Sequence, residues 1–161
     1  MPLSLRVWDF MDRNFQTIGP DATLGEAMEV MSEAAKTAGH TRSLVVVDKQ
    51  MRPLGVLSMR NILEAFKPEF VLWSSLLGQD GWAEALEKGF KQCHYRRVED
   101  YMVQVPALKM SDDLIKAFRV LTERKLEVRM VPVVEAEKVE GVVRIPELFE
   151  AFVQAYRKMA T

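Results

Sequence analysis

Gly55-Val56-Leu57-Ser58-Met59-Arg60-Asn61-Ile62-Leu63-Glu64-Ala65-Phe66 returns 86 residues later as Gly141-Val142-Val143-Arg144-Ile145-Pro146-Glu147-Leu148-Phe149-Glu150-Ala151-Phe152. Glycine stands on glycine, and the closing Glu-Ala-Phe stands on Glu-Ala-Phe. Each copy reads as a short apolar strand that runs directly into an amphipathic helix. Such a joint gathers free backbone N–H groups and the positive end of a helix dipole at one point, which suits an anion. The polar side chains at the joint are Ser58 and Asn61 in the first copy, Arg144 and Glu147 in the second.

The duplication extends outward from this stretch. Arg6-Val7-Trp8-Asp9-Phe10-Met11 is echoed by Arg97-Val98-Glu99-Asp100-Tyr101-Met102. Brief extended pieces follow at Phe15–Ile18 and Val105–Leu108. A helix comes next in each copy. In the first, Thr23 and Glu26 form a Ser/Thr-x-x-Glu capping box ahead of Leu24, Ala27, Met28, Met31 and Ala35 at helical spacing. In the second, Ser111 is the expected N-cap, with Asp112 and Asp113 in the first turn and Leu114, Ala117, Phe118 and Leu121 on the apolar face. Leu44–Asp48 and Met130–Glu135 are short β-branched runs, the pattern of strands buried on both faces. The last helix carries Leu148, Phe149, Phe152, Val153, Tyr156 and Met159.

The predicted order is therefore strand, helix, strand, strand, helix, twice. One copy is too small to bury its own helices, and two copies packed sheet to sheet with helices outside remove that problem. The expected fold class is α/β (α+β), with repeat one over residues 1–66, a helical insert over 67–96, and repeat two with a C-terminal helix over 97–161. Within the insert, Lys67-Pro68 is expected to end the first repeat, because the residue before proline disfavours helical geometry. Gly78–Gly81 reads as a turn and Trp82–Lys91 as a helix with Trp82, Leu86 and Phe90 on one face. Three roles stay open for the insert's apolar side chains: docking a partner, covering a cleft, or packing on the protein itself or within a dimer.

Composition removes several function classes. The 161 residues are 48% apolar and 28% charged, with a formal net charge of −1. That balance gives no broad positive field for nucleic acid or an acidic membrane. No apolar run approaches the ~20 residues that cross a bilayer, so no membrane association is expected. The opening Met1-Pro2-Leu3-Ser4-Leu5-Arg6 lacks the charged-then-apolar pattern of a signal peptide. Cys93 is the single cysteine, which rules out an internal disulfide and points to a reducing, cytoplasmic setting. Cys93-His94 has no further ligand at metal spacing, His40 being distant in sequence, and Asp112-Asp113 at a helix start needs no metal. Neither a P-loop nor a dinucleotide fingerprint occurs, and no nucleophile-and-base arrangement is visible, so no enzyme is expected.

The repeated unit resembles a CBS domain (the cystathionine-β-synthase repeat), and two in tandem resemble a Bateman module. The resemblance rests on Pro20-Asp21-Ala22-Thr23-Leu24 opening a helix, on the Pro-Val-Val-acid strand Pro132–Glu135, and on the glycine motif before each last helix. It covers roughly residues 5–66 and 97–155. It implies a regulatory module that binds AMP, ADP, ATP or an S-adenosyl compound in clefts between the two repeats, works as a homodimer, and needs no cofactor. Carried over by position, the first site would use Ser58 for phosphate and Asn61 for ribose, with Thr17, Ile18, Leu44 and Val45 around the base. The second would use Arg144, Glu147, Ala107, Leu108, Val131 and Pro132. A symmetric pair, Arg42 and Arg129, either holds polyphosphate or is solvated surface.

Three of the four key polar positions depart from the family pattern. Asn61 replaces an aspartate and weakens a ribose hydrogen bond by about 1 kcal/mol. Arg144 replaces a small hydroxyl residue and either pairs with phosphate or fills the cleft. Glu147 reaches one methylene further than aspartate. Ser58 serves equally as a plain N-cap, and Glu147 as an ordinary first-turn glutamate. The rival expectation is a dimerisation and protein-interaction module with degenerate clefts, docking a protein partner through residues 70–90.

Overall fold

The computed structural model describes residues 4–38, 42–123 and 129–160. His40 and the opening Met1-Pro2-Leu3 lie outside the described residues. The first repeat contains a single helical turn, α1 (Val7–Phe10), then β1 (Thr17–Ile18), α2 (Leu24–Ala38), β2 (Ser43–Val47), β3 (Pro53–Ser58) and α3 (Met59–Glu64). The insert forms α4 (Lys67–Leu77), a 3-10 turn (Gly78–Gly81) and α5 (Trp82–Gln92). The second repeat follows with a 3-10 turn (Val98–Asp100), β4 (Leu108–Lys109), α6 (Leu114–Leu121), β5 (Met130–Glu135), β6 (Lys138–Arg144) and α7 (Ile145–Ala160).

There are two three-stranded sheets, ordered β1-β2-β3 and β4-β5-β6. β1 lies parallel to β2, with Thr17 opposite Val45 and Ile18 opposite Val46. β4 lies parallel to β5, with Leu108 opposite Val133. β5 and β6 run antiparallel, with Met130 opposite Arg144 and a register shift between Val133 and Val134. The apolar runs are buried as their composition requires: Leu44, Val45 and Val46 are fully inaccessible, and so are Val133, Val142 and Val143. Each such side chain contributes about 1.5–3 kcal/mol by leaving water.

The chain divides into two compact units that interleave along the sequence. One holds the N-terminal segment through Phe15, residues 47–56, and everything from Val103 onward; the other holds 16–46 and 57–102. The echoed Arg-Val segments explain the interleaving. Val7 is fully buried among Leu108, Leu114, Val131, Val143 and Leu148, and its N–H donates to the Asp112 carbonyl at 2.8 Å. Val98 is fully buried among Leu24, Leu44, Val46, Leu57 and Ile62, and its N–H donates to the Ala22 carbonyl at 2.8 Å. Each repeat's opening valine thus completes the other repeat's core.

Two local expectations need correction. Asp113, not Ser111, is the N-cap of α6: its carboxylate accepts from the Lys116 N–H at 2.9 Å, while Asp112 turns back to accept from the Lys109 N–H at 2.8 Å. Pro68 does not exclude helix at Lys67; it sits in the first turn of α4, where a missing N–H costs nothing. α4 then ends at Gly78, whose φ of 61° is the left-handed geometry glycine accepts most easily. Arg96 fastens the insert to the first repeat, donating to the Ala65 carbonyl at 2.6 Å and to Glu69 at 2.9 Å. Beside it the buried Cys93 thiol is pushed above its ordinary pKa by burial, with the Arg96 charge opposing.

The turn joining β2 to β3 is organised by Asp48. Its carboxylate accepts from the Gln50 and Arg52 N–H groups, both at 2.9 Å, and from Arg52 Nε at 2.7 Å. Those bonds, led by the Arg52 backbone N–H, hold its pKa below the ordinary carboxylate value. A carboxylate whose pKa is lower when folded contributes stability above its unfolded pKa and loses it as pH falls through the folded one. Asp48→Asn is therefore expected to destabilise the protein near neutral pH and to flatten the fall in melting temperature below about pH 4. Parallel melting-temperature profiles for wild type and variant would overturn this.

Candidate functional site

At the first joint, Ser58 ends β3 and caps α3. Its Oγ accepts from the Asn61 N–H at 3.1 Å, and the Asn61 side-chain carbonyl accepts from the Ser58 N–H at 2.9 Å. This reciprocal box satisfies two backbone donors locally. The Met59 N–H donates to the Arg42 carbonyl at 2.9 Å, which brings the start of β2 against the joint. What the joint still offers is a set of donors: the Ser58 hydroxyl proton and the two amide protons of Asn61. Both side chains are half-buried. Hydroxyl and amide donors of this kind fit oxygens of phosphate or ribose.

Around that joint, Thr17 is half-buried and lies opposite Val45, while Arg42 is exposed. Ile18 and Leu44 point into the core with Leu24, Leu57 and Ile62, and Val45 is fully buried. The side chains of these three are buried, and the Val45 N–H donates to the Gln16 carbonyl at 3.0 Å.

The second joint has the same plan and different chemistry. The Ile145 N–H donates to the Arg129 carbonyl at 3.3 Å, matching the Met59–Arg42 link and confirming that the two arginines occupy equivalent places. The Glu147 carboxylate accepts from the Arg144 N–H at 2.9 Å, one half of the reciprocal box. The other half cannot form, because an arginine side chain has no acceptor. The Arg144 guanidinium instead donates to Asp12 at 2.9 Å and to Glu147 at 3.4 Å, with only 14% of its side chain exposed. Pro146 removes a further N–H from the first turn of α7. One guanidinium between two carboxylates carries a formal charge of −1, which disfavours phosphate. Among the remaining predicted residues, Ala107 and Arg129 are exposed, and Leu108, Val131 and Pro132 are buried.

Asp12 is the member of this cluster that sequence reasoning missed. Its signal lay in the repeat itself: Asp12 stands where the other copy has Val103. Both positions bridge to the third strand of a repeat, Asp12 to Val142 and Val103 to Val56. A carboxylate thus stands in place of valine and an arginine in place of serine, and the two side chains form an ion pair at 2.9 Å.

A separate hollow of about 400 Å³ in the unit holding α4 and α5 is apolar, lined by Met28, Leu63, Phe66, Lys67, Phe70, Val71, Leu86 and Phe90. None of the predicted site residues lines it. Among the described residues, no cluster of three His, Cys, Asp or Glu side chains is placed to hold a metal. No described helix is long and apolar enough to cross a membrane.

Comparison with solved structures places this arrangement among CBS-pair proteins. CBSX2 in complex with AMP shares 26% identity, covering 94% of this chain and 98% of that one, with a TM-score of 0.66. The CBS-pair protein CBSX2 from Arabidopsis thaliana aligns at 23% identity over 96% and 98% of the two chains, with a TM-score of 0.70. A CBS domain-containing protein of unknown function from Bacillus anthracis aligns at 18% identity over 94% and 95%, also with a TM-score of 0.70. A search of curated protein sequences returned no match. CBS pairs are in general regulatory modules rather than enzymes. The CBS domain family model matches residues 7–68 and again 98–154, and with both repeats accounted for the chain belongs to the CBS domain family as a tandem pair.

Proposed function

We propose that this CBS pair is a cytoplasmic, non-catalytic sensor that binds one adenine nucleotide, at the Ser58–Asn61 joint, and passes its state to a partner through a homodimer. The observation that carries the reading is the polar pair at that joint: the Ser58 hydroxyl and the Asn61 amide, both half-buried, on a backbone box that uses their oxygens as acceptors. The AMP complex of CBSX2 supports the choice of ligand class. Thr17, Ile18, Leu44 and Val45 would surround the base and Arg42 would meet the phosphates. In the second repeat Ala107, Leu108, Arg129, Val131 and Pro132 would be the corresponding set, but Arg144 and Glu147 are engaged with Asp12, so one bound nucleotide is expected rather than two. The repeats are taken as residues 1–66 and 97–161 with the insert 67–96 between them in sequence. Coupling of the size such modules need, about 1–3 kcal/mol, requires only that nucleotide prefer one of two arrangements.

The closed second joint favours, for that half of the molecule, the other reading: a degenerate site kept for structure, with signalling left to protein contacts, including those of residues 70–90. Thermal shift with AMP, ADP, ATP and S-adenosylmethionine separates the two. A ligand at 100 times its dissociation constant stabilises by about 2.7 kcal/mol, several degrees for a chain of this length. Ser58→Ala with Asn61→Ala is expected to abolish the response, and Glu147→Ala to leave it in place. No response of the wild type to any of the four would replace the sensor reading with the degenerate one.

A further inference from the structure

The hollow beside the insert is built from residues that differ from their counterparts in the second repeat. Leu63 corresponds to Phe149, Phe66 to Phe152 and Lys67 to Val153, each 86 residues on; Met28 corresponds to Phe118 through the caps of α2 and α6. In the second repeat Phe118 and Phe152 pack ring on ring, 5.4 Å between centroids. In the first repeat methionine replaces Phe118, and Phe66 meets Phe90 of α5 instead, edge to face at 5.5 Å. Gly89 lets α5 come this close, since a Cβ there would overlap the Phe66 ring. Smaller side chains on α2 and α3, with α4 and α5 alongside, leave about 400 Å³ open. That is within the range of small-molecule pockets, roughly 300–1,000 Å³.

Lys67 is the one charged residue among the described residues that line the hollow. The carboxylates nearest to it in sequence are committed elsewhere: Glu64 pairs with Arg60 at 3.0 Å and Glu69 with Arg96 at 2.9 Å. Among the described residues no carboxylate pairs with Lys67. Lys67 also opens α4, so the positive end of that helix adds to its charge. An apolar hollow with one uncompensated cation is complementary to an apolar molecule with one negative end.

We propose that the hollow binds an aliphatic carboxylic acid as its anion, with the chain among Met28, Leu63, Phe70 and Leu86 and the carboxylate at Lys67. At about 30 Å³ per non-hydrogen group, the share of a water molecule, the hollow holds on the order of a dozen groups, an acid of about ten carbons. Burial of the chain supplies affinity, about fourfold per methylene. Lys67 supplies the choice of head group. The site shares no residue with the Ser58–Asn61 joint and does not rest on the nucleotide reading.

The test is calorimetric titration of the full-length protein with decanoate, decanol and decylamine, each below its micelle-forming concentration. Decanoate is expected to bind once per chain, decanol about three- to tenfold more weakly, and decylamine more weakly still. Lys67→Gln is expected to bring decanoate down to the affinity of decanol and to leave decanol unchanged. Met28→Phe with Leu63→Phe, which installs the second repeat's side chains, is expected to abolish binding of all three. Ser58→Ala with Asn61→Ala is expected to leave decanoate binding intact, so failure of the nucleotide reading and failure of this one are distinguishable. No binding of decanoate up to about 1 mM overturns the proposal. If the Met28/Leu63 variant then also changes the mass of the protein in solution, the hollow is a contact between copies instead. Equal binding of the three probes, or decanoate binding unaffected by Lys67→Gln or by the Met28/Leu63 variant, overturns it as well.

Discussion

Phe66→Ala is expected to lower unfolding free energy by about 3–5 kcal/mol, the range for truncating a buried phenylalanine. The side chain closes two packings at once. It belongs to the core formed with Leu57, Ile62, Ala65 and Cys93, and its outer edge is the surface on which α5 rests through Gly89 and Phe90. Deleting the ring leaves a cavity that cannot easily collapse, because α5 is held by the helix start at Gly81 and by its own packing of Ala85, which is fully buried. Phe152→Ala removes the equivalent ring from a site 40% exposed, so by buried area it should cost about two-thirds as much. Urea denaturation gives both numbers, and limited proteolysis of Phe66→Ala should show early cleavage in residues 67–92. A cost below about 1 kcal/mol for Phe66→Ala, or equal costs at the two positions, would mean that the insert does not act as a cover.

The repeat was legible because its evidence is periodic and local. Valine-rich strands, the glycine before each joint and the apolar faces of α2, α3, α6 and α7 follow from residue type and spacing alone. The insert's two helices were legible in part: α5 was expected over Trp82–Lys91 from its apolar stripe and runs to Gln92, while α4 was obscured by a proline whose steric bias on Lys67 is a preference and not a prohibition. Three consecutive polar residues, Ser111 to Asp113, can each cap a helix, and only the register of α6 selects Asp113. At the first joint sequence cannot separate cap from ligand contact, since the same hydroxyl and amide do both. The Asp12–Arg144 pair spans 132 residues and depends on the N-terminal segment crossing to the second repeat. No local pattern records such a crossing, although the mismatch of Asp12 with Val103 marks where to look.

Arg144→Ala is expected to cost about 2–4 kcal/mol, the second large effect. The guanidinium donates to Asp12 Oδ2 and is the countercharge for Glu147, in a cluster whose side chains are 14–27% exposed. Breaking a buried pair leaves the other charge unbalanced, which typically costs 3–5 kcal/mol, and partial exposure here pulls the figure down. Two carboxylates then share one small space, so Asp12→Val in the same chain should return part of the loss by removing the repulsion. Arg144→Ser with Asp12→Val goes further, because it rebuilds in the second repeat the residue types that the first carries at Ser58 and Val103. The new hydroxyl can accept the Glu147 N–H and complete the capping box, while the local formal charge no longer includes Asp12. If the Ser58–Asn61 joint binds one nucleotide, calorimetry on this double variant should give a stoichiometry rising from one toward two. A stoichiometry of two already in the wild type would show that the Arg144 cluster does not close the second joint. An unchanged stability in Arg144→Ala would show that its ion pairs do not hold the N-terminal segment in place.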